Sequence, residues 1–162
     1  MDARGVIRDY EPSRDRDQLR ACVVELQEFE RGLEPRLPRG EEMADQYLAF
    51  MLERCARTSG RVFIAEIDHA VVGFVAVLAN VPQEEPDEDR APYAYVSDLV
   101  VRSAYRRRGL GRALLEEAER FARGAGASLL RVGVLALNEG ARRLYGSMGF
   151  ADYTVQLVKP LR

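Results

Sequence analysis

The chain has 162 residues, of which 47% are hydrophobic, and its 24 basic and 26 acidic residues leave a formal net charge of −2. That size and apolar content suit one domain over residues 1–162 with a sizeable core, while the slight negative balance argues against bulk attraction to nucleic acid. No apolar run approaches the ~20 residues of a membrane span, and the charged opening MDARGVIRDYEPSRDRD lacks a secretory apolar core, so a cytoplasmic protein without membrane or nucleic-acid partners is expected.

In chain order, Val6 to Tyr10 reads as a short strand, broken at Pro12 and Ser13. Ser13 or Asp15 is placed to cap a helix over Asp17–Arg31, whose apolar stripe includes Leu19, Cys22, Val23 and Leu26 and which Gly32 ends. A second helix is predicted over Glu41–Arg57, with Met43, Tyr47, Phe50, Met51 and Cys55 in its stripe. Cys22 and Cys55 read as reduced thiols in or near the core. Arg61–Ile67 and Val71–Leu78 are strands around a tight turn at Asp68-His69, which assigns the single histidine to a hairpin.

A polar loop with an acidic run at residues 84–89 leads to a strand over Tyr93–Val101. A helix follows from Leu110 to Arg123, ended by Gly124 and Gly126, then a strand over Leu129–Leu135. Asn138 caps a short helix over Glu139–Met148, and Tyr153–Val158 reads as a last strand. The order is β-α-α-β-β-β-α-β-α-β. A hairpin followed by β-α-β places the chain in the α/β class, with a mixed sheet and helices on both faces. No metal-ligand constellation is visible.

The junction before the third helix is chemically unusual. Arg106, Arg107, Arg108 and Arg112 cluster where a helix starts, an end that is already partly positive. Such a cluster is unfavourable unless an anion sits among it, and the first N–H groups of a helix point outward at one. Gly109 and Gly111 let the backbone approach, and a diphosphate fits. A basic surface loop or a nucleic-acid patch is the alternative on composition alone. No Gly-Lys pair exists for a P-loop, and Leu114 stands where the third glycine of a dinucleotide fingerprint would fall.

Arg106 to Gly111 reads R-x-x-G-x-G directly after a strand ending Leu99-Val100-Val101. Downstream, Asn138 to Tyr145 followed by Gly149-Phe150 reads N-x-x-A-x-x-L-Y…G-F. Both segments, and the order of elements, resemble the GCN5-related N-acetyltransferase (GNAT) family, with its acyl-CoA N-acyltransferase fold.

The resemblance implies transfer of an acetyl group from acetyl-CoA, as co-substrate, to a primary amine of a small molecule or peptide in a ternary complex, without a metal. By it, the backbone of Leu99, Val100 and Val101 holds the pantetheine, and the amides from Arg107 through Arg108, Gly109, Leu110 and Gly111 to Arg112 hold the diphosphate beside Arg106. Asn138 and Arg142 line the cofactor's other side. Tyr145 is the candidate general acid to the departing thiolate, and Asp98 the candidate base, with Ser97 or Glu66 as substitutes. Phe29, Glu30, Tyr47 and Phe50 are candidates to line the acceptor site, and the acidic 84–89 run could attract a cationic amine. A homodimer paired through the last strand fits the resemblance. A non-catalytic acyl-CoA sensor is the alternative reading of the whole.

Overall fold

The computed structural model describes residues 5–161. The elements are β1 (Val6–Asp9), α1 (Pro12–Leu33), α2 (Gly40–Arg57), β2 (Arg61–Ile67), β3 (Ala70–Leu78), β4 (Tyr93–Val101), α3 (Leu110–Gly124), β5 (Leu129–Val132) and α4 (Glu139–Ser147). The strands form one sheet in the order β1-β2-β3-β4-β5. Its pairs are antiparallel except β4–β5, which is parallel across the α3 crossover. Asp68 and His69 both take positive φ, 48° and 64°, as a two-residue hairpin turn requires.

Helices cover both faces, as the alternation of the strands demands. Ile64 and Phe74 pack on α1 and α2 through Leu19, Cys22, Leu48 and Met51. Their neighbours Phe63, Ala65 and Val75 face α3 and α4, packing with Leu114, Leu115, Ala118 and Tyr145. β3 lies in the middle of the sheet and is buried from Val71 to Leu78, so it carries no polar face. Both cysteines are free and buried.

α1 starts five residues earlier than its sequence stripe suggests. Pro12 opens it, where a missing N–H costs nothing. Neither Ser13 nor Asp15 is the N-cap residue. Asp15 instead reaches back to accept the N–H of Glu11 at 2.8 Å, and Arg8 donates to its two carboxylate oxygens at 2.6 and 2.8 Å. Arg8 and Arg14 also hold Glu66, at 2.5 and 2.7 Å, tying β1, α1 and β2 together. At the other end, Gly32 lies inside the helix.

The expected last strand does not form. Residues 151–161 have no regular structure, and Tyr153, Val155, Leu157, Val158 and Leu161 are exposed. Period-two alternation supplies a face but no partner for the N–H and C=O groups. β5 pairs over only four residues, too short an edge to template a long strand within one chain. The start of the tail is held by Arg142, which pairs with Asp152 at 3.1 Å, and by Arg131, whose guanidinium lies 4.8 Å from the Tyr153 ring centre.

Candidate active site

β4 and β5 are hydrogen-bonded only from Tyr93↔Leu129 to Val96↔Val132. Beyond Val96 they part, because β5 ends at Val132 while β4 continues to Val101. The outer edge of β4 from Ser97 to Val101 is therefore open. α1, α2 and α4 close around the gap, and a cavity remains whose walls include Glu30, Tyr47, Asp98, Leu99, Asn138 and Tyr145.

A backbone irregularity aims Asp98 into this cavity. Ala76 pairs with Asp98 and Val77 with Val96, so Ser97 is an extra residue on β4, a β-bulge. Ala94 and Val96 face α3. After the bulge the even positions have changed sides: Val100 packs with α1 and α2, and Asp98 meets Tyr47 of α2. Without the bulge, Asp98 would follow Ala94 and Val96 into the apolar α3 face.

Asp98 is 6% exposed. The Tyr47 hydroxyl donates to its Oδ1 at 2.6 Å and the Ser97 hydroxyl to its Oδ2 at 2.8 Å. Burial pushes its carboxyl above the usual range, against the two hydroxyls and a weaker influence of Arg54. The same burial, joined by the charge of Asp98, drives the Tyr47 hydroxyl strongly upward. Ser97 thus serves the carboxylate as a donor.

Tyr145 lies on α4 against Phe150, ring centres 5.6 Å apart, and belongs to the apolar core while lining the cavity. Burial first, then the charges of Glu30 and Asp98, raises its hydroxyl to about 12. A neutral phenol is what a proton donor must be. Asn138 caps α4, its Oδ1 accepting the N–H of Ala141 at 3.1 Å, and its side chain remains on the cavity wall.

The open edge of β4 runs into the arginine turn. Arg107 and Gly109 take left-handed φ, 65° and 78°. The N–H groups of Leu110, Gly111 and Arg112 open α3 and have no helical partner; among the described residues no side chain caps them, and the amides of Arg107, Arg108 and Gly109 make no backbone bond either. The space beside Gly109 is open; a Cβ on Gly111 would stand 3.2 Å from Leu144 Cδ2, so Gly111 also lets α3 approach α4. The four arginines have no carboxylate partner among the described residues. Arg106 Nε donates to the Val101 carbonyl at 2.9 Å, with its guanidinium 5.0 Å over Phe29, and Arg112 donates to the Ser147 hydroxyl at 2.9 Å. Glu25 of α1 steadies the turn, accepting from Ser103 N–H at 2.6 Å and Arg102 Nε at 3.0 Å.

Several sequence candidates lie elsewhere. Glu66 is held by Arg8 and Arg14 and does not line the cavity, which removes it as a base. Arg142 is turned toward Asp152 rather than to the cavity wall. The acidic 84–89 run is exposed apart from half-buried Glu88, and none of it reaches the cavity. Phe50 is half exposed beneath Arg54. Glu25 was not among the candidates; an acidic side chain facing a turn 78 residues away carries no local signal.

The description of the acetyltransferase (GNAT) family matches residues 24–150, a span that includes both the open strand edge and α4. The chain belongs to this family. A curated relative, an uncharacterized N-acetyltransferase of Methanocaldococcus jannaschii, is 26% identical over 129 residues, 77% of this chain and 53% of the relative. The chain thus spans about half the length of that relative. Among solved structures, a variant of a Bacillus halodurans protein superposes with a TM-score of 0.77 at 19% identity, covering 97% of this GNAT chain and 99% of the other. The aminoglycoside N-acetyltransferase AAC(6')-Iy in complex with CoA gives a TM-score of 0.71 at 18% identity, with 98% and 95% covered. The same enzyme has been solved with a bisubstrate analogue joining CoA to acetylneamine, at a TM-score of 0.70 and 18% identity over 98% of each chain. These likenesses describe a shared fold.

Proposed function

We propose that this protein transfers the acetyl group of acetyl-CoA to a primary amine. The observation that carries the reading is one arrangement: the open edge of β4 runs from a cavity walled by Asp98, Glu30 and Tyr145 to the unpartnered amides at the head of α3. Acetyl-CoA supplies an activated thioester. The backbone of Leu99, Val100 and Val101 would bind its pantetheine as an added strand, and one of these N–H groups would face the carbonyl oxygen where charge develops. The amides from Arg107 to Arg112, with Arg106, Arg108 and Arg112 around them, suit the diphosphate. Asn138 would contribute from the α4 side. Arg142 would have to leave Asp152 to do the same.

An amine near pKa ~10 arrives protonated at neutral pH. Asp98 gives the acceptor end a negative field, and Tyr145 donates a proton to the thiolate as it departs. A non-catalytic acyl-CoA sensor would need the turn but not the Tyr145 hydroxyl. We read the exposed tail after α4 as the surface through which two copies would pair, and the compartment as the cytoplasm.

The test is thiol release from acetyl-CoA against spermidine, neamine, lysine and a peptide with a free N-terminus, alongside calorimetric titration of acetyl-CoA. Release with one amine class supports the enzyme. Tight acetyl-CoA binding with no release from any amine favours the sensor, and no binding at all defeats both.

A further inference from the structure

We infer that Glu30 of α1 is the group that binds the ammonium of the incoming amine and takes its proton, a role that rests on the acetyl-transfer reading above. Asp98 and Glu30 share the cavity, but their situations differ. Both oxygens of Asp98 already accept hydroxyl donors, from Tyr47 and Ser97. Glu30 has no side-chain hydrogen bond and no ion pair among the described residues, although it lines the same cavity as Asp98 and Tyr145.

The other glutamates around the C-terminal half of α1 show how unusual this is. Glu25 is paired with Arg102, Glu28 with Arg31 and Glu34 with Arg36. Of these four, Glu30 alone has no cation partner among the described residues. Its position sharpens the point. α1 ends at Leu33, so Glu30 sits in the last helical turn, where the backbone is partly negative and a carboxylate is disfavoured. The groups facing it are Asp98 from β4, Tyr47 from α2 and Tyr145 from α4, none of them a cation. Arg54 of α2 is stacked on Phe50 instead. Burial, and then the charge of Asp98, raises the Glu30 carboxyl above its ordinary value. A cationic amine satisfies what the protein leaves unsatisfied.

The ammonium R–NH3+ gives one proton to the Glu30 carboxylate, leaving R–NH2 and neutral Glu30. The nitrogen lone pair attacks the thioester carbon, the C–N bond forms and the C–S bond breaks. Sulfur takes the Tyr145 hydroxyl proton, and the new amide nitrogen returns one proton to the Tyr145 oxygen. Glu30 releases its proton to water after the product leaves.

The test compares wild type with Glu30→Gln, using whichever of spermidine, neamine, lysine or the peptide the wild type acetylates fastest. Melting temperature and calorimetric acetyl-CoA affinity are measured on both proteins. Expected are unchanged melting and acetyl-CoA binding, with kcat/KM for the amine down roughly a hundredfold at neutral pH. The deficit should shrink about tenfold per pH unit as the amine deprotonates unaided, because the variant can use only the free base. A Glu30→Gln enzyme with the turnover and pH profile of wild type would overturn the assignment of Glu30 while leaving acetyl transfer standing. Absence of release by the wild type with every amine would instead remove the acetyl-transfer reading, and Glu30's role with it.

Discussion

Two aspartates are buried among the described residues, and they sit in opposite circumstances. Asp15, in the first turn of α1, is 0% exposed and gripped by Arg8 and the Glu11 amide. The Arg8 guanidinium holds its carboxyl below the usual range, against the cost of burial. Asp98, on β4, is 6% exposed and is met by hydroxyls alone, so burial wins and its carboxyl is pushed up. One region has answered its buried charge with a cation of its own. The other has kept two carboxyl groups, Asp98 and Glu30, beside an open strand edge with no ion pair to either among the described residues. A charge paired by the fold serves stability, whereas one left for a ligand serves chemistry at some cost to stability.

That contrast predicts that cavity substitutions remove activity and spare stability, and that substitutions in the Arg8 cluster do the reverse. The largest effect is expected at Tyr145→Phe: about a thousandfold lower kcat in the thiol-release assay, with acetyl-CoA affinity and melting temperature retained. Unchanged turnover would return Tyr145 to a packing role. Next, Asp15→Asn should lower unfolding free energy by about 3 kcal/mol at neutral pH, measured by urea titration, because Arg8 loses its buried partner. The folded protein should keep its kcat.

The pH dependence distinguishes the two aspartates further. The folded Asp15 carboxyl titrates below its unfolded value, so its contribution is full above the ordinary aspartate range and is lost as pH falls through the depressed value. Wild type and Asp15→Asn should therefore converge in acid. Asp98 titrates above its unfolded value, so ionising it costs folded-state stability as pH rises past that range. Asp98→Asn should lose about tenfold in kcat/KM without becoming less stable at neutral pH. If it melts below wild type, the contrast between the two regions fails.

Smaller effects should follow at the turn and the tail. Gly109→Ala puts a Cβ at φ 78° in open space, so strain of about 1 kcal/mol without a clash is expected, visible as a lower melting temperature. Leu157→Asp lies on an 88%-exposed position. It should leave melting of the single chain unchanged and, if the tail pairs two copies, shift sedimentation toward monomer.

The site's frame was legible because its signals are local. An apolar run ending at Val101, the arginine–glycine turn and the N-x-x-A-x-x-L-Y pattern each lie within a few residues, and they located the open edge, the head of α3 and Tyr145. What sequence reading missed is long-range or written in the backbone. The bulge at Ser97, which turns Asp98 toward α2, has no residue signature. The Tyr47–Asp98 bond joins residues 51 apart. The start of α1 at Pro12 lies outside the apolar stripe and is held by Asp15, which accepts the Glu11 N–H and meets Arg8 of β1. The tail shows the reverse failure, since its alternation looks like a strand but the neighbouring edge strand β5 spans only four residues.

The most direct test of the central claim is a mass balance. Purified protein is incubated with acetyl-CoA and a cationic primary amine from the panel, and free thiol and acetylated amine are counted together. Acetyl transfer to the amine gives equal amounts of both, rising with amine concentration. Thiol without acetylated amine, or neither product from any amine, would contradict it.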